Sequence, residues 1–193
     1  MKLALATANE DKVREFRRAL AQSPLTLVSA RELGVTDFPA ETGASYAANA
    51  LTKAAFLAGR TGLLSLADDS GLEVDALGGA PGLYSARFAS GSDLERTAHL
   101  LAQLRGVPEG ERRARFVCVL GLVTPAGDAH TFEGRCDGVI LEAPRGAGGF
   151  GYDPVFWSPE LGKTFAEATP EEKAAVSHRG RALAELAAWL QAR

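Results

Sequence analysis

Two adjacent carboxylates near the middle of the chain, Asp68 and Asp69, are the first candidates for chemistry. They follow an apolar run at 63–66 and precede Gly71, which predicts a position at the end of a short strand. Because successive strand residues point to opposite faces, one aspartate can face a site while its neighbour anchors the loop. Acidic pairs at strand ends commonly bind Mg²⁺ through carboxylate oxygens. The competing interpretation is a solvated turn, since Asp, Ser and Gly are common turn residues.

A second candidate is a loop at the start of a helix, directly after the first predicted strand. Apolar residues recur at helical spacing from Val13 to Leu20. Unpaired backbone N–H groups and the helix dipole at such a start favour a bound anion, to which Lys12 adds a positive charge. The alternative is an ordinary N-cap formed by Thr7 or Asn9, with a solvated lysine. The residues of this loop are Thr7, Ala8, Asn9, Glu10, Asp11 and Lys12.

Two later segments could bind an aromatic or carbonyl-rich group. A glycine-dense loop at 146–154 lets the backbone approach a ligand, and its aromatic rings offer stacking surfaces. Its candidate residues are Phe150, Gly151, Tyr152 and Asp153. Ahead of the last predicted helix, Lys173, His178 and Arg179 could donate hydrogen bonds to a ligand. The competing interpretation of these three is a solvated basic turn at the surface.

The elements that must position these residues predict a mixed α/β sheet, because strand and helix alternate at the start and a hairpin follows later. Ser45 is predicted to cap a helix that carries Lys53 in its middle and has Glu41 before its start. Leu94, Leu101 and Leu104 are taken as apolar positions of a later helix. Strands are predicted at 2–6, 25–28, 63–66, 115–123 and 131–141, and helices at about 13–20, 46–59, 92–105 and from Ser177 onward.

Size and composition narrow the class of protein. With 193 residues and 46% hydrophobic residues, the chain can bury one substantial core, as one large domain or two closely packed lobes. A net charge of -3 argues against binding a nucleic-acid polymer. We find no signal-type segment and no apolar run long enough for a bilayer, so we expect a cytoplasmic protein without a membrane partner. Cys118 and Cys136 lie far apart and lack metal-ligand spacing, and Cys118, within an apolar run, is expected to be a buried reduced thiol.

Together these groups supply what hydrolysis of a nucleoside triphosphate needs. Lys12 and Lys53 can hold phosphates, and Glu41 and Asp69 can hold Mg²⁺ across them. Phe150 can stack on a base. The sequence has no Walker-type loop and no recognisable serine or cysteine nucleophile, so water is the expected attacker.

Six ordered blocks resemble the signature segments of the inosine triphosphate pyrophosphatase family. They occur in the family's order and extend over nearly the whole chain. One departure is Ala8, where many relatives have glycine before the asparagine. The blocks are Thr7-Ala8-Asn9-Glu10-Asp11-Lys12, Glu41-Thr42-Gly43, Ala67-Asp68-Asp69-Ser70-Gly71-Leu72, Leu77-Gly78-Gly79-Ala80-Pro81-Gly82, Gly149-Phe150-Gly151-Tyr152-Asp153-Pro154 and Ser177-His178-Arg179-Gly180.

The resemblance implies an elongated α/β fold with two lobes around a central sheet, a single domain with the active site between the lobes, and a homodimer. The implied reaction cleaves inosine, deoxyinosine or xanthosine triphosphate to the monophosphate and pyrophosphate with Mg²⁺, which removes these purines from the nucleotide pool.

The resemblance also implies roles for single residues. Asp69 is the implied general base and a metal ligand, Glu41 is a further metal ligand, and Ser70 assists beside Asp69. The implied triphosphate cradle is Thr7 through Lys12 with Lys53, and the implied base pocket is Phe150, Gly151, Tyr152, Asp153, Lys173, His178 and Arg179. Two alternatives remain: a pyrophosphatase for another altered nucleotide, such as a modified pyrimidine triphosphate, and a nucleotide-binding sensor without turnover.

Overall fold

The computed structural model describes residues 1–192 of the chain and shows an α/β protein built on one mixed sheet. The strands are β1 (Lys2–Leu5), β2 (Thr26–Ser29), β3 (Leu64–Val74), β4 (Arg113–Val123), β5 (Ala129–Ile140), β6 (Phe156–Ser158) and β7 (Lys163–Thr164). The helices are α1 (Glu10–Ala19), α2 (Tyr46–Thr61), α3 (Asp93–Gln103), α4 (Pro170–Val176) and α5 (His178–Gln191). These elements confirm the predicted α/β class.

The seven strands form a sheet in the order β2-β1-β3-β4-β5-β6-β7. β1 pairs in parallel with both β2 and β3, placing Leu3 opposite Leu27 on one side and Leu64 on the other. At the far end, β5, β6 and β7 pair antiparallel, with Val139 opposite Trp157. Parallel strands at one end and antiparallel strands at the other make the sheet mixed, as predicted.

The chain divides into two compact units, and β3, β4, β5 and α5 contribute residues to both. The first unit comprises residues 1–69, 118–133 and the chain from Ala182 onward. In it β1 alternates between two core clusters: Leu3 and Leu5 pack with α1 and α5, whereas Ala4 and Ala6 pack with α2. This period of two follows from the strand geometry, and it places large residues on one face and small ones on the other.

Small residues let α2 lie close to the sheet in this unit. A Cβ added to Gly121 of β4 would lie 2.8 Å from backbone atoms of Ala50 and Leu51, closer than real side-chain atoms come. Ala54 and Leu57 of the same helix are fully buried. The helix that carries the predicted phosphate-binding Lys53 is therefore held directly against the strands.

The second unit comprises residues 70–117 and 134–181 and has its own aromatic core. Phe116, Phe156 and Phe165 pack together there with Leu72 and Leu100. At the edge of this core the buried guanidinium of Arg112 donates to the carbonyls of Ile140, Leu104 and Leu141 at 2.8, 2.9 and 3.1 Å. These bonds join α3 to the end of β5.

Three sequence predictions about the elements have clear outcomes. Asp68 and Asp69 do not end a strand, because β3 continues to Val74, so the prediction of a strand end there was wrong. Leu94 is 74% exposed and is not a core position of α3. Cys118 is a buried free cysteine, as expected, and Cys136 is buried as well. Within residues 1–192, none of the helices is long and apolar enough to cross a membrane.

Candidate active site

Asp69 is a buried carboxylate in the middle of β3, with 5% of its surface exposed. Its Oδ2 accepts a hydrogen bond from Nδ2 of Asn49 in α2 at 2.8 Å. The Oδ1 of Asn49 accepts in turn from the backbone N–H of Gly43, also at 2.8 Å. One helix side chain therefore ties the strand carboxylate to the segment that carries Glu41.

Asp68 lies on the opposite face of the strand and has a different partner. Its neighbour two residues earlier, Leu66, packs in the cluster of α1, and Asp68 Oδ2 pairs with Nζ of Lys12 in α1 at 2.9 Å. Ala67 packs in the cluster of α2, on the same face as Asp69. The predicted alternation is confirmed, and Asp68 anchors Lys12 instead of a loop.

Lys53 of α2 donates hydrogen bonds both to Glu41 and to the β3 backbone beside Asp69. Its Nζ donates to Glu41 Oε1 at 2.6 Å and to the backbone carbonyl of Asp68 at 2.7 Å. The side chain of Lys53 is 12% exposed and that of Glu41 is 25% exposed, so both are partly shielded from water. A lysine held at this position presents positive charge beside Asp69, as binding of a polyphosphate requires.

Burial dominates the electrostatics of Asp69 and raises the pKa of its carboxyl above the ordinary value. The Glu41 charge acts in the same direction. The positive charge of Lys53, the hydrogen bond from Asn49 and the more distant Lys12 oppose the rise. A carboxylate with a raised pKa is a better proton acceptor than an exposed one, which suits a general base.

The carboxylates of Glu41 and Asp69 fit Mg²⁺ when other ligands, from outside the protein, complete its coordination shell. Within the described residues 1–192, no cluster of three or more His, Cys, Asp or Glu side chains could hold a metal ion by itself. Glu41 and Asp69 nevertheless supply hard carboxylate oxygens that act on one another electrostatically. Mg²⁺ usually takes one or two carboxylates and completes its shell with water and substrate phosphates. The residues therefore fit an ion bound jointly with a polyphosphate.

At the first helix, Asn9 is the N-cap of α1, and its Oδ1 accepts from the N–H groups of Asp11 and Lys12 at 2.9 and 3.2 Å. The N–H of Asn9 donates to Thr7 Oγ1 at 3.2 Å. The N-cap interpretation is thus correct for Asn9. Thr7 and Ala8 lie in the connection from β1 to α1, Glu10 pairs with Arg31, and Asp11 pairs with Arg14. The predicted phosphate-binding role of this loop stays a prediction.

The second unit contains the other predicted group, which we call the base loop (residues 149–153). Asp153 is buried, and its Oδ2 accepts from the backbone N–H of Phe150 at 2.9 Å and from Lys173 Nζ at 2.7 Å. The same Nζ lies 4.7 Å from the centroid of the Phe150 ring and 5.7 Å from that of Phe165. Lys173 of α4 therefore pairs with the loop carboxylate and lies against its aromatic ring.

The three predicted hydrogen-bond donors are buried, so the interpretation as a solvated basic turn was wrong. Lys173, His178 and Arg179 are 6, 4 and 3% exposed. The His178 ring stacks on Phe116 with 4.6 Å between centroids, and Arg179 Nη2 donates to Ser70 Oγ at 3.0 Å. The Arg179 guanidinium carbon lies 5.9 Å from the Phe150 ring centroid. The structure thus brings Lys173 and Arg179 to the base loop, whereas His178 lies against Phe116.

Asn49 is the residue that the sequence analysis missed. The signal that could have found it is its spacing, because Asn49 lies four residues before Lys53 and the two share a face of α2. In a helix rich in alanine, a buried asparagine needs hydrogen-bond partners, and here these are Asp69 and Gly43.

The chain is similar to known proteins over nearly its whole length. It is 55% identical over 187 residues to a dITP/XTP pyrophosphatase of Thermus thermophilus, covering 96% of this chain and 90% of the relative. The structure of a HAM1 protein from Coxiella burnetii has a TM-score of 0.90 and 38% identity and covers all of both chains. A dITP/XTP pyrophosphatase structure from Mycobacterium abscessus has a TM-score of 0.76 and 48% identity, covering 96% of this chain and 98% of the other.

These similarities confirm the family resemblance seen in the six sequence blocks. The family model described as the Ham1 family matches residues 3–189. The chain therefore belongs to the Ham1 family.

Proposed function

We propose that the protein hydrolyses non-standard purine nucleoside triphosphates, namely inosine, deoxyinosine and xanthosine triphosphate, to the monophosphate and pyrophosphate. The names of its relatives, dITP/XTP pyrophosphatase, support this substrate class. Clearing such nucleotides from the pool is the corresponding role in the cell.

The observation that carries the proposal is the setting of Asp69 in β3. It is a buried carboxylate with a raised pKa, held by Asn49 and adjoined by Lys53 and Glu41. A group that must accept a proton beside bound phosphates needs this combination of basicity, fixed orientation and nearby positive charge. A protein that only bound nucleotides would have no need for a buried general base.

The reaction breaks the bond from the α phosphorus to the oxygen that bridges it to the β phosphorus, while the oxygen of the attacking water forms a new bond to the α phosphorus. In the proposed mechanism, Asp69 accepts a proton from the attacking water while its other contacts hold the carboxylate in place. Lys53 and Lys12 offset the negative charge of the triphosphate, and pyrophosphate leaves with the electron pair of the broken bond. Phosphoryl transfer depends on positioning and charge neutralisation, which these residues supply without a covalent intermediate.

Mg²⁺ is part of the proposal, with Glu41 and Asp69 as the residues that would hold it. When bound, the ion neutralises phosphate charge and makes a coordinated water easier to deprotonate. The chemistry of the two carboxylates supports this assignment.

Base selection in the proposal depends on hydrogen-bond donors around the base loop. His178 and Arg179 donate to the oxygen at position six of hypoxanthine or xanthine. Adenine has an amino group there, which cannot accept these hydrogen bonds, and a mismatch of this kind can cost about 10⁴-fold in specificity. Phe150 provides the stacking surface, and Lys173 pairs with Asp153 beside it.

A substrate panel tests the proposal. Released pyrophosphate is measured for inosine, xanthosine, adenosine and guanosine triphosphates and a modified pyrimidine triphosphate, each with and without Mg²⁺. The expected result is Mg²⁺-dependent turnover with a preference for inosine and xanthosine triphosphates. Preference for the pyrimidine would support the alternative pyrophosphatase, and tight binding without turnover would support the sensor.

We also propose a cytoplasmic homodimer, supported by the family resemblance. Light scattering coupled to size-exclusion chromatography tests the oligomeric state.

A further inference from the structure

The base loop is held by α3, a helix to which the sequence analysis assigned no functional role. The backbone N–H of Gly151 donates to Asp93 Oδ2 at 2.6 Å, and the carbonyl of the same glycine accepts from Thr97 Oγ1 at 3.3 Å. We propose that Asp93 and Thr97 are positioning residues that fix the base loop so that the Phe150 ring can stack on a purine. This inference rests on the proposed function.

The Asp93 carboxylate is itself fixed in the first turn of α3. Its Oδ1 pairs with Arg96, whose guanidinium also donates to the carbonyl of Gly91 at 2.7 Å. Ser92 and Glu95 form a capping box at the same helix start. A charge-assisted bond to a carboxylate is stronger than a bond between neutral groups, so Asp93 holds the Gly151 amide firmly.

Thr97 holds the other side of the same residue from one turn further along α3. It is 3% exposed, so its hydroxyl needs a partner within the protein, and the Gly151 carbonyl is that partner. Gly151 has a positive φ of 61°, which glycine adopts without strain. With both of its backbone polar groups bonded to α3, this glycine is fixed relative to the helix.

Two further hydrogen bonds hold the base loop on either side of Gly151. The N–H of Phe150 donates to Asp153, and the Tyr152 hydroxyl donates to the carbonyl of Ser85 at 2.7 Å. Burial raises the pKa of Tyr152 to about 12, so the hydroxyl keeps its proton at neutral pH. The first bond holds the loop backbone at Phe150, and the second holds the Tyr152 side chain to Ser85. Loss of the hydrogen bonds to α3 would therefore free the backbone N–H and carbonyl of Gly151. The neighbouring Phe150 ring would then be able to move.

The expected signature is a selective loss of affinity for the base. Stacking of a base on an aromatic ring contributes about 1–3 kcal/mol, and a misplaced ring loses part of it. Within the described residues 1–192, the side-chain hydrogen bonds of Asp93 and Thr97 go to Arg96 and Gly151 and not to the residues that are predicted to hold the triphosphate. A change that weakens ground-state and transition-state binding equally raises KM and leaves kcat in place.

Matched variants at these two positions test the inference. Thr97→Val removes the hydroxyl with little change in volume, and Thr97→Ser retains it. Asp93→Ala removes the carboxylate, and Leu94→Ala in the same turn is the control because Leu94 is exposed. For each variant we measure KM and kcat for inosine triphosphate, the inhibition constants of inosine monophosphate and inorganic tripolyphosphate, and the melting temperature.

Thr97→Val and Asp93→Ala are expected to raise KM and the inosine monophosphate constant about 3- to 10-fold, with kcat and the tripolyphosphate constant within about twofold of wild type. Thr97→Ser should recover affinity. Unchanged inosine monophosphate binding in both variants, or an equal loss for the two inhibitors, would overturn the inference.

The outcome is separable from that of the proposed function. If the wild-type protein turned over none of the purine triphosphates, the proposed function would fail, and calorimetric binding of inosine monophosphate would still compare the variants. If Asp93→Ala did not fold, Thr97→Val would decide the matter alone, because a valine fits the space of the threonine.

Discussion

Replacing Lys173 by methionine tests how much the buried ion pair between Lys173 and Asp153 contributes to the stability of the protein. The Lys173 Nζ lies 2.7 Å from Asp153 Oδ2, and the two side chains are only 8 and 4% exposed. Methionine keeps most of the apolar stem and removes the charge. Asp153 would then remain buried without its cation, and the faces of Phe150 and Phe165 would lose a cation.

The expected cost follows from this burial. Removing one partner of a buried ion pair costs about 3–5 kcal/mol, because the remaining charge is desolvated and uncompensated. For a chain of this length, each kcal/mol lowers the melting temperature by about 2–4 °C. We therefore expect Lys173→Met to melt roughly 6–20 °C below wild type.

Lys163 provides a matched control in the same unit. It pairs with Glu172 of α4 at 3.0 Å, but these side chains are 35 and 40% exposed. Exposed pairs contribute about 0–1 kcal/mol, so Lys163→Met should change the melting temperature by no more than about 4 °C. Thermal and urea unfolding followed by circular dichroism compare the two variants.

A double variant separates charge from packing. In Lys173→Met with Asp153→Asn, both charges of the ion pair are removed, so the double variant should recover at least half of the loss. Two results would refute the reasoning: a Lys173→Met protein as stable as the Lys163→Met control, or a double variant no more stable than Lys173→Met alone.

Three further predictions concern the phosphate side and the base donors. Asp69→Asn should lower kcat by about 10²-fold or more, yet raise the unfolding free energy at pH 7. Burial raises the folded-state pKa of Asp69, so its ionised form destabilises the fold; this penalty shrinks as the pH falls through that pKa and is gone below the unfolded value of about 3.9. Equal stabilities at pH 7 would contradict this. Asn49→Leu removes the hydrogen bond to the Asp69 carboxylate and should lower kcat about 10- to 100-fold at saturating substrate. An unchanged kcat would show that Asp69 does not need Asn49 to hold its orientation. Arg179→Ala should lower kcat/KM for inosine triphosphate about 10- to 100-fold with a smaller effect on unfolding, and normal kinetics would exclude its role in base reading.

The sequence predicted those features that local chemistry determines. The helix starts at Asn9 and Ser45 follow from side chains that accept hydrogen bonds from the first helical N–H groups. The hairpin of β4 and β5 follows from alternating apolar residues on either side of a turn. These patterns depend on neighbours in the chain and need no knowledge of the fold.

Other features depended on contacts that are distant in sequence. The segment after Asp69 has the composition of a turn, yet it continues as β3 beside β4 in the sheet, where strand pairing overrides weak local propensity. The burial of Lys173 was likewise hidden, since charged residues are buried only when paired and its partner Asp153 is 20 residues away. The role of Asn49 depended on both Gly43 and Asp69.

The alternation of core residues along β3 has a consequence for how this protein tolerates insertions. Asp68 and Asp69 are chemically identical, and only strand register determines which of them meets Asn49 and which meets Lys12. A slip of one residue would exchange their faces, leaving composition and charge unchanged. The bulky Leu66 and the small Ala67, which enter different core clusters, oppose that slip by their sizes. A pair of ordinary core residues therefore specifies which aspartate takes the position of the proposed general base, and a single residue inserted between Ala67 and Asp68 should be far more damaging than most substitutions.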